Sequence, residues 1–396
     1  MRFVPSFIRQ IVHRFMRLRF RTKMIIFYVM LISIPSILTG FLHYNTSLDI
    51  ILNNSRESMK EIVKKNNEMI DMILQGIEER TLSLNSDPDL YDVFEHLTDR
   101  SDYNLVKMDK RVTMILNKYF SQNSDHYSAQ LVTSYYSFGG SGTPYTTNSP
   151  FFSVSPEGFR SSDIYSRVAE NRGKFIWIPT YDYTKTFNQY QLQGLDPKIK
   201  FMFSGARVIN SAPIVDGVIH PLDPSIERPV LLINFTESFY REILKFSTPL
   251  QGSYLYVVSD KGDIVYHPDT SKLATIDTNG YLEDSFQNKS GTMIKEINGE
   301  KMLICFETSK VTGWKTVSVV PYKQLVGELP MFRSMELFVA AGLTILAMLA
   351  AYIFSGWMTK PIKKLIVATH ITGNGDFTTK IPEQADFEFG ILIKKI

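Results

Sequence analysis

Met24–Leu42 reads MIIFYVMLISIPSILTGFL, and Leu337–Trp357 reads LFVAAGLTILAMLAAYIFSGW. Neither stretch carries a charge. Each is about 20 residues long, enough at 1.5 Å per residue to cross the roughly 30 Å hydrocarbon core of a bilayer. The stretch between them, residues 43–336, is polar and mixed. This layout predicts a large domain on one side of a membrane, tethered at both ends by helices that cross it.

Basic residues near span ends set orientation. Arg2, Arg9, Arg14, Arg17, Arg19, Arg21 and Lys23 precede the first span with no Asp or Glu among them, and Lys360, Lys363 and Lys364 follow the second. Both termini are therefore predicted cytoplasmic and the middle extracellular, in a multi-pass protein of the cell membrane. A secretory signal peptide is the competing reading of residues 1–42. Its apolar core is normally shorter and ends at a small-residue cleavage site, whereas Phe41-Leu42-His43-Tyr44 offers none. An uncleaved anchor is the better fit. The basic N-terminus reads as a topology determinant that touches anionic lipid. A formal net charge of +3 adds no push toward nucleic acid, and no nucleic-acid partner is expected.

Cys305 is the only cysteine, so no intrachain disulfide can form. It lies in the apolar run Lys301–Phe306 and reads as a small core residue rather than a reactive thiol. A domain of this size buries enough apolar surface without covalent staples.

Leu48 to Ile77 reads as one long helix, with apolar residues at Leu48, Leu52, Met59, Ile62, Met69, Ile73 and Ile77. The stripe is open to two readings, packing on its own domain or a dimer seam continuing from the first span. Asp87-Pro88-Asp89 breaks the helix, and further helix follows to about Tyr119. The texture then turns to strand. Gln130–Phe138 (QLVTSYYSF), Phe175–Ile178, Phe201–Val208 and Val230–Phe235 are rich in β-branched and aromatic residues. Ser238–Phe246 reads as a helix. After Pro249 a second unit begins. Ser253–Val258 and Asp263–His267 flank the turn Ser259-Asp260-Lys261-Gly262. Gly291–Ile297 and Lys301–Glu307 flank Asn298-Gly299-Glu300, and Trp314–Val320 is a further strand. Pro321–Leu329 is expected to be helical and to lead into the second span. The result is two α/β units in tandem.

The order of these elements resembles a double Cache sensor, the two-module extracytoplasmic domain of bacterial receptors. The resemblance rests on the long first helix, the strand Gly173-Lys174-Phe175-Ile176-Trp177, and the hairpin Val257–Pro268 (VVSDKGDIVYHP). After the second span, Pro361-Ile362-Lys363-Lys364-Leu365 resembles the start of a HAMP linker. Gly375-Asp376-Phe377 resembles its connector, and Phe387–Leu392, with Glu388, the opening of its second helix. Pro361 suits the first turn of a new helix, which Gly373 and Gly375 would stop.

The resemblance implies an α+β fold: two transmembrane helices flanking a tandem PAS-like (double Cache) domain with a long N-terminal helix, then a partial helical HAMP linker. The implied division is a basic N-terminus at 1–23, a span at 24–42 and a sensor at 43–334. Within the sensor a distal module covers about 85–248 and a proximal module about 249–325. A span at 335–357 and a truncated HAMP at 358–396 follow. HAMP linkers are parallel homodimers, so a homodimer is implied, with Pro361, Gly375, Asp376 and Glu388 as signalling-linker residues. The whole arrangement looks most like the sensor half of YesM-type histidine kinases. The kinase domain, and with it a cognate response regulator, would follow Ile396.

No catalytic constellation is visible: no His-Glu-x-x-His, no P-loop, no G-x-S-x-G, no cysteine cluster. No metal or cofactor is expected. His267 reads as a turn residue, and Asp87/Asp89 and Asp260/Asp263 lack calcium-loop spacing. In Cache sensors the distal module binds small molecules between its sheet and the overlying loops. The residues expected to line that cleft are Tyr135, Tyr165, Trp177, Tyr181, Asp182 and Arg207, aromatics as walls and the charged pair to fix polar groups. The run found in amino-acid-binding members, Arg-x-Trp-Tyr, is replaced by Arg160-Ser-Ser-Asp163-Ile-Tyr165. A carbohydrate would suit Trp and Tyr stacking beside an Asp.

The expected function is the sensor portion of a two-component histidine kinase. The alternatives are the sensor half of a methyl-accepting chemoreceptor, or a membrane-anchored extracellular binding protein or enzyme without signalling.

Overall fold

A single helix, α1 (Phe20–Asn85), opens the computed structural model. The structure describes residues 18, 20–97, 99–120, 127–140, 153–190, 200–245, 247, 250–279, 288–327 and 329–373. The chain divides into two compact units, residues 1–52 with 326–396, and residues 53–325.

In the first unit, α1 meets the C-terminal helix α9 (Leu329–Gly373). By length and composition both helices contain a stretch apolar enough to cross a membrane. Small residues form their contact, as bilayer helices require in order to approach closely. Ser33 Oγ and Thr344 Oγ1 lie 3.3 Å apart, and Ala347, Ala351 and Ser355 are buried. Pro35 is accommodated inside α1. Helix α9 corrects one expectation. It runs unbroken through Pro361, so no new helix starts there. Proline lacks an N–H and frees one carbonyl in the preceding turn, and the helix absorbs this loss. Gly375, Asp376 and Glu388 lie outside the described residues.

The second unit is built on the remainder of α1. Met59, Val63, Ile70, Leu74, Ile77 and Leu84, at spacings of three, four or seven residues, lie on one face and are buried. Met69 and Ile73 of the expected stripe are instead exposed. Polar residues pin the buried face. Asp71 accepts from Ser309 Oγ (2.5 Å) and Lys310 N (2.8 Å), and Asn67 Oδ1 accepts from Thr316 Oγ1 (3.0 Å). After Asn85 the chain turns, and Asp87 caps α2 (Pro88–Glu95) by accepting from the Asp89 and Leu90 N–H groups. Helix α3 (Asp102–Tyr119) follows.

The distal sheet has the order β2-β1-β7-β4-β3 and is antiparallel throughout. Its strands are β1 (Tyr127–Val132), β2 (Ser137–Phe138), β3 (Ile176–Asp182), β4 (Phe201–Val208) and β7 (Val230–Thr236). The run QLVTSYYSF is thus two strands, because Thr133 Oγ1 both donates to Tyr136 O and accepts from Tyr136 N, closing a turn between them. Helices α1 and α3 cover one face through Leu116, Leu131, Phe203, Ile233 and Phe235. The short helices α4 (Pro156–Arg160), α5 (Asp163–Glu170) and α6 (Tyr183–Thr186) cover the other through Phe159, Ile164, Val168, Tyr183 and Phe187. Between β4 and β7 stands a two-stranded hairpin, β5 (Ile214–Val215) and β6 (Val218–Ile219). Helix α7 (Ser238–Leu244) leads out.

The proximal sheet has the order β10-β11-β12-β8-β9. Its strands are β8 (Tyr254–Val258), β9 (Ile264–Tyr266), β10 (Ser290–Ile297), β11 (Glu300–Thr308) and β12 (Lys315–Pro321). Asn298 (φ 52°) and Gly299 (φ 80°) form the two-residue turn between β10 and β11, the left-handed pair that matches strand twist. The helix expected over 321–329 is only α8 (Tyr322–Leu325) before α9 begins. Cys305 is buried, and burial pushes its thiol up to about 12.

His267 packs against Tyr254 and Tyr256, with ring centroids 5.3 and 5.7 Å away, and its Nδ1 accepts from the Asp269 N–H at 2.9 Å. Burial, with Lys272 nearby, holds the imidazole below its ordinary value. The folded state therefore resists a proton that the unfolded chain takes up below about pH 6.5. This contribution to stability is complete above that pH and is lost as pH falls through the depressed folded value. Thermal unfolding across pH 7 to 5 (roughly the histidine range) will show a steeper loss for the native protein than for His267→Asn. Equal slopes would remove His267 as the cause.

Candidate ligand site

Period-two alternation sends one set of strand residues to the face covered by α4, α5 and α6. These are Ser128 and Gln130 of β1, Ser204 and Ala206 of β4, Leu232 and Asn234 of β7, and Ile176 and Ile178 of β3. In the centre of this face three polar side chains meet. Tyr181 OH lies 2.7 Å from Ser204 Oγ and donates to Asn234 Oδ1 at 3.1 Å, while Ser204 Oγ donates to the same oxygen at 2.7 Å. Ser204 is fully buried and Asn234 is 1% exposed. Burial pushes the Tyr181 phenol well above its ordinary value, so it stays a neutral hydroxyl. At the margin Gln130 Oε1 accepts from Val154 N (3.1 Å), and Gln189 Nε2 donates to Ser153 O (3.0 Å). That bond fixes the orientation of the Gln189 amide, and its buried Oε1 has no partner.

Tyr181 reaches this face through an irregularity. Its sequence parity is that of Trp177, which points the other way. The register between β3 and β4 shifts between Ile178 and Tyr181, and such a shift re-aims every later side chain. In the same segment Thr180 Oγ1 donates to Val265 O at 2.6 Å, joining the distal strand to the proximal module.

The cover is close-fitting. A Cβ on Gly158 of α4 would stand 1.9 Å from the Phe187 carbonyl oxygen. Phe187 in turn packs on Phe159, Tyr181 and Tyr183 at 5.0–6.0 Å between ring centroids.

The structure does not bring together the six residues expected to line the cleft. Tyr181 is in the polar centre of the face under α4, α5 and α6, and Tyr165 sits in the cover with its ring edge-on to Phe159 at 5.8 Å. Asp182 caps α6, accepting from the Thr184 and Lys185 N–H groups, and pairs with Lys200 at 3.1 Å. Burial opposes its ionisation, but hydrogen bonds from Thr184 and Lys200 outweigh that and hold the carboxyl below its ordinary value. The other three lie on the helix side. Trp177 stacks among Phe175, Phe235 and Trp314, and its buried indole N–H is unpaired. Arg207 donates from Nη1 to Thr81 Oγ1 (2.8 Å) and from Nε and Nη2 to Gly173 O, which ties the sheet to α1. Tyr135 lies under the Arg100 guanidinium at 4.0 Å. Ser204 and Asn234 were not anticipated. Each is a polar residue inside a mostly apolar strand, FMFSGARV and VLLINFT, and that is their sequence signal.

Among the described residues no group of three or more His, Cys, Asp or Glu is placed to hold a metal ion.

The methyl-accepting chemotaxis protein McpA of Bacillus subtilis is 21% identical over 375 residues, 94% of this chain and 49% of McpA. McpC of the same organism is 25% identical over 150 residues, 38% of this chain and 22% of McpC. The chain thus spans about half the length of McpA. The ligand-binding domain of the Pseudomonas aeruginosa amino-acid chemoreceptor PctC, solved with GABA, is similar at 15% identity and a TM-score of 0.41, covering 67% of this chain and 99% of that one. The extracellular domain of the putative histidine kinase soHK1S-Z6 is similar at 15% identity and a TM-score of 0.47, covering 70% and 98%. The double Cache model, described as Cache domain, matches residues 47–329, which takes in both sheets and most of α1. The chain belongs to the Cache domain family.

Proposed function

We propose that this chain is the input half of a transmembrane receptor, with residues 43–334 outside the cell and both termini inside. One observation carries the reading. A Cache domain whose distal sheet holds a buried, uncharged polar centre under a separate cover is joined to two helices long and apolar enough to cross a membrane. The Tyr181–Ser204–Asn234 face is the ligand site, and its ligand is a small extracellular molecule. Hydroxyl and amide groups there match the hydroxyls of a carbohydrate as well as they match amides. Tyr165 and Asp182 stand in the cover and at the rim, while Trp177, Arg207 and Tyr135 support the sheet from behind. Binding biases two arrangements of a homodimer, and it does so only by differing in affinity for them. The bias passes through α9 to a HAMP linker at 358–396, in which Pro361, Gly375, Asp376 and Glu388 transmit it.

Two outputs fit. The resemblance of the whole arrangement to YesM-type kinases favours a histidine kinase acting on a response regulator, and the match to McpA along most of this chain favours a methyl-accepting chemoreceptor. The reading frame beyond Ile396 separates them. A histidine-bearing helical pair and an ATP-binding domain give the kinase, and a long heptad hairpin gives the chemoreceptor.

Orientation has its own test. Lys261→Cys, at the exposed β8–β9 turn, will react in intact cells with a membrane-impermeant maleimide. Labelling only after permeabilisation would overturn the topology.

A further inference from the structure

One peptide group, Ser153–Val154, is gripped at both ends by glutamine. Its N–H is accepted by Gln130 Oε1 at 3.1 Å, and its carbonyl accepts from Gln189 Nε2 at 3.0 Å. Gln130 stands on β1, on the covered face of the distal sheet. It pairs with Leu232, and Ser128 pairs with Asn234, so Gln130 and Asn234 are diagonal neighbours about 7–8 Å apart across the strands. Gln189 belongs to the cover. It follows Phe187, and its N–H donates to Thr184 O of α6 at 2.9 Å. Val154 packs in the same apolar cluster as Phe159 and Phe187. The clamped peptide therefore joins the sheet to its cover beside the polar centre.

Three amides are thereby oriented, each by one bonded end. Asn234 Oδ1 accepts from Tyr181 and Ser204, Gln130 Oε1 from Val154 N, and Gln189 Nε2 donates to Ser153 O. Two donors and one acceptor are left over: Asn234 Nδ2, Gln130 Nε2 and Gln189 Oε1. Among the described residues none of the three has a hydrogen-bond partner. Gln189 is the most constrained, since the residue is only 7% exposed and its Oε1 is buried. A buried acceptor left without a donor is unfavourable and rare in a native fold. A donor on a bound ligand would complete it.

The same face carries no charge. Its strand residues are uncharged, as are Phe159, Ile164, Val168 and Phe187 of the cover. Asp182 at the rim is taken up by α6 and Lys200, and Arg207 is turned to the helix side. A free amino acid would bring a carboxylate and an ammonium here with no counter-ion for either, and an unpaired buried charge costs far more than a hydroxyl. A hydroxyl suits what is left over, because it donates to Gln189 Oε1 and accepts from an amide N–H through one oxygen.

We infer that the distal site takes an uncharged polyhydroxy molecule, a sugar or cyclitol, and that Gln189 selects it by accepting from one of its hydroxyls. The inference rests on the reading of the Tyr181–Ser204–Asn234 face as the ligand site.

The test is a thermal-shift screen of the full chain in detergent. Glucose, galactose, ribose and myo-inositol form one panel, and alanine, isoleucine, glutamate and GABA the other, all at millimolar concentration. A polyol will stabilise the wild type, and no amino acid will. Gln189→Met, similar in length, will bind that polyol roughly tenfold more weakly, in line with the loss of one hydrogen bond. One monodeoxy analogue will show the same loss on the wild type, yet bind Gln189→Met as tightly as the parent polyol does. If Gln189→Met still discriminates against that analogue, Gln189 acts only on the cover and its selecting role is overturned. Should that variant fail to fold, Gln189→Leu is read in the same way, and the wild-type screen stands by itself. Stabilisation by an amino acid and by no polyol, abolished in Asn234→Leu, overturns the inference and leaves the ligand face standing. A polyol that binds Asn234→Leu and Gln189→Met as it binds the wild type sits elsewhere, and the reading of the face falls with the inference. No response to any polyol also overturns the inference.

Discussion

Gly158→Ala will destabilise the protein by roughly 3 kcal/mol, at the upper end of what overpacking a close contact costs. The added Cβ would stand 1.9 Å from the Phe187 carbonyl oxygen and 2.7 Å from its carbonyl carbon. Those are backbone atoms, so no rotamer change relieves the clash. Either α4 lifts from the cover or the segment after α6 moves. Phe187 cannot move alone, because its ring packs on Tyr181 and Tyr183. The displacement therefore reaches the polar centre of the sheet. Thermal unfolding of the variant, followed by circular dichroism, will show the loss. A native-like midpoint would mean that α4 and α6 do not approach as closely as described.

Asn234→Leu comes next in size. Leucine has the same heavy-atom branching as asparagine, though it is bulkier, and suits a strand flanked by Ile233 and Phe235. It removes the one acceptor shared by Ser204 Oγ and Tyr181 OH. The two hydroxyls keep only each other, at 2.7 Å. Leaving one buried donor unsatisfied costs about 1–3 kcal/mol, so a loss of about 2 kcal/mol is expected. Ser204→Ala will cost less in the Asn234→Leu background than in the wild type, because the bond from Ser204 Oγ to Asn234 is already gone. If the double variant is less stable than Asn234→Leu by a full additive step, the triad is not one network.

Much of the scaffold could be read from local chemistry. Asn298-Gly299 named its own turn, because both residues tolerate the positive φ that the hairpin twist demands. Asp87 ahead of Pro88 marked a helix break and start. The β4 strand was legible to the residue, since FMFSGARV has no turn former other than Gly205. Asp216-Gly217 carried an equally strong hairpin signal, but the strands beside it are two residues each and give no periodicity.

The proposed ligand face was harder to read. Alternation says which residues share a face, and not which face the helices will cover. Trp177 and Tyr181 share parity and were expected in one cleft, yet the register shift at Pro179-Thr180 sends them to opposite sides of the sheet. Arg207 looked like a ligand's counter-charge. In the fold its guanidinium is consumed by Thr81 and Gly173, residues far away in sequence, and no local pattern announces those partners. Asp182 is likewise used up as a helix cap. Pro361 pointed to a helix start by its side-chain chemistry, but one proline costs a helix only local bonds, and α9 continues through it.

The assignment of the ligand face is best measured by thermal shift on the full chain, with free amino acids and monosaccharides at millimolar concentration as probes. Wild type and Asn234→Leu are each compared with their own unliganded midpoints. A compound that binds the Tyr181–Ser204–Asn234 face at 100 times its Kd stabilises the wild type by about 2.7 kcal/mol and leaves Asn234→Leu unchanged. A compound that stabilises both proteins equally binds elsewhere, and the distal face is then not the ligand site.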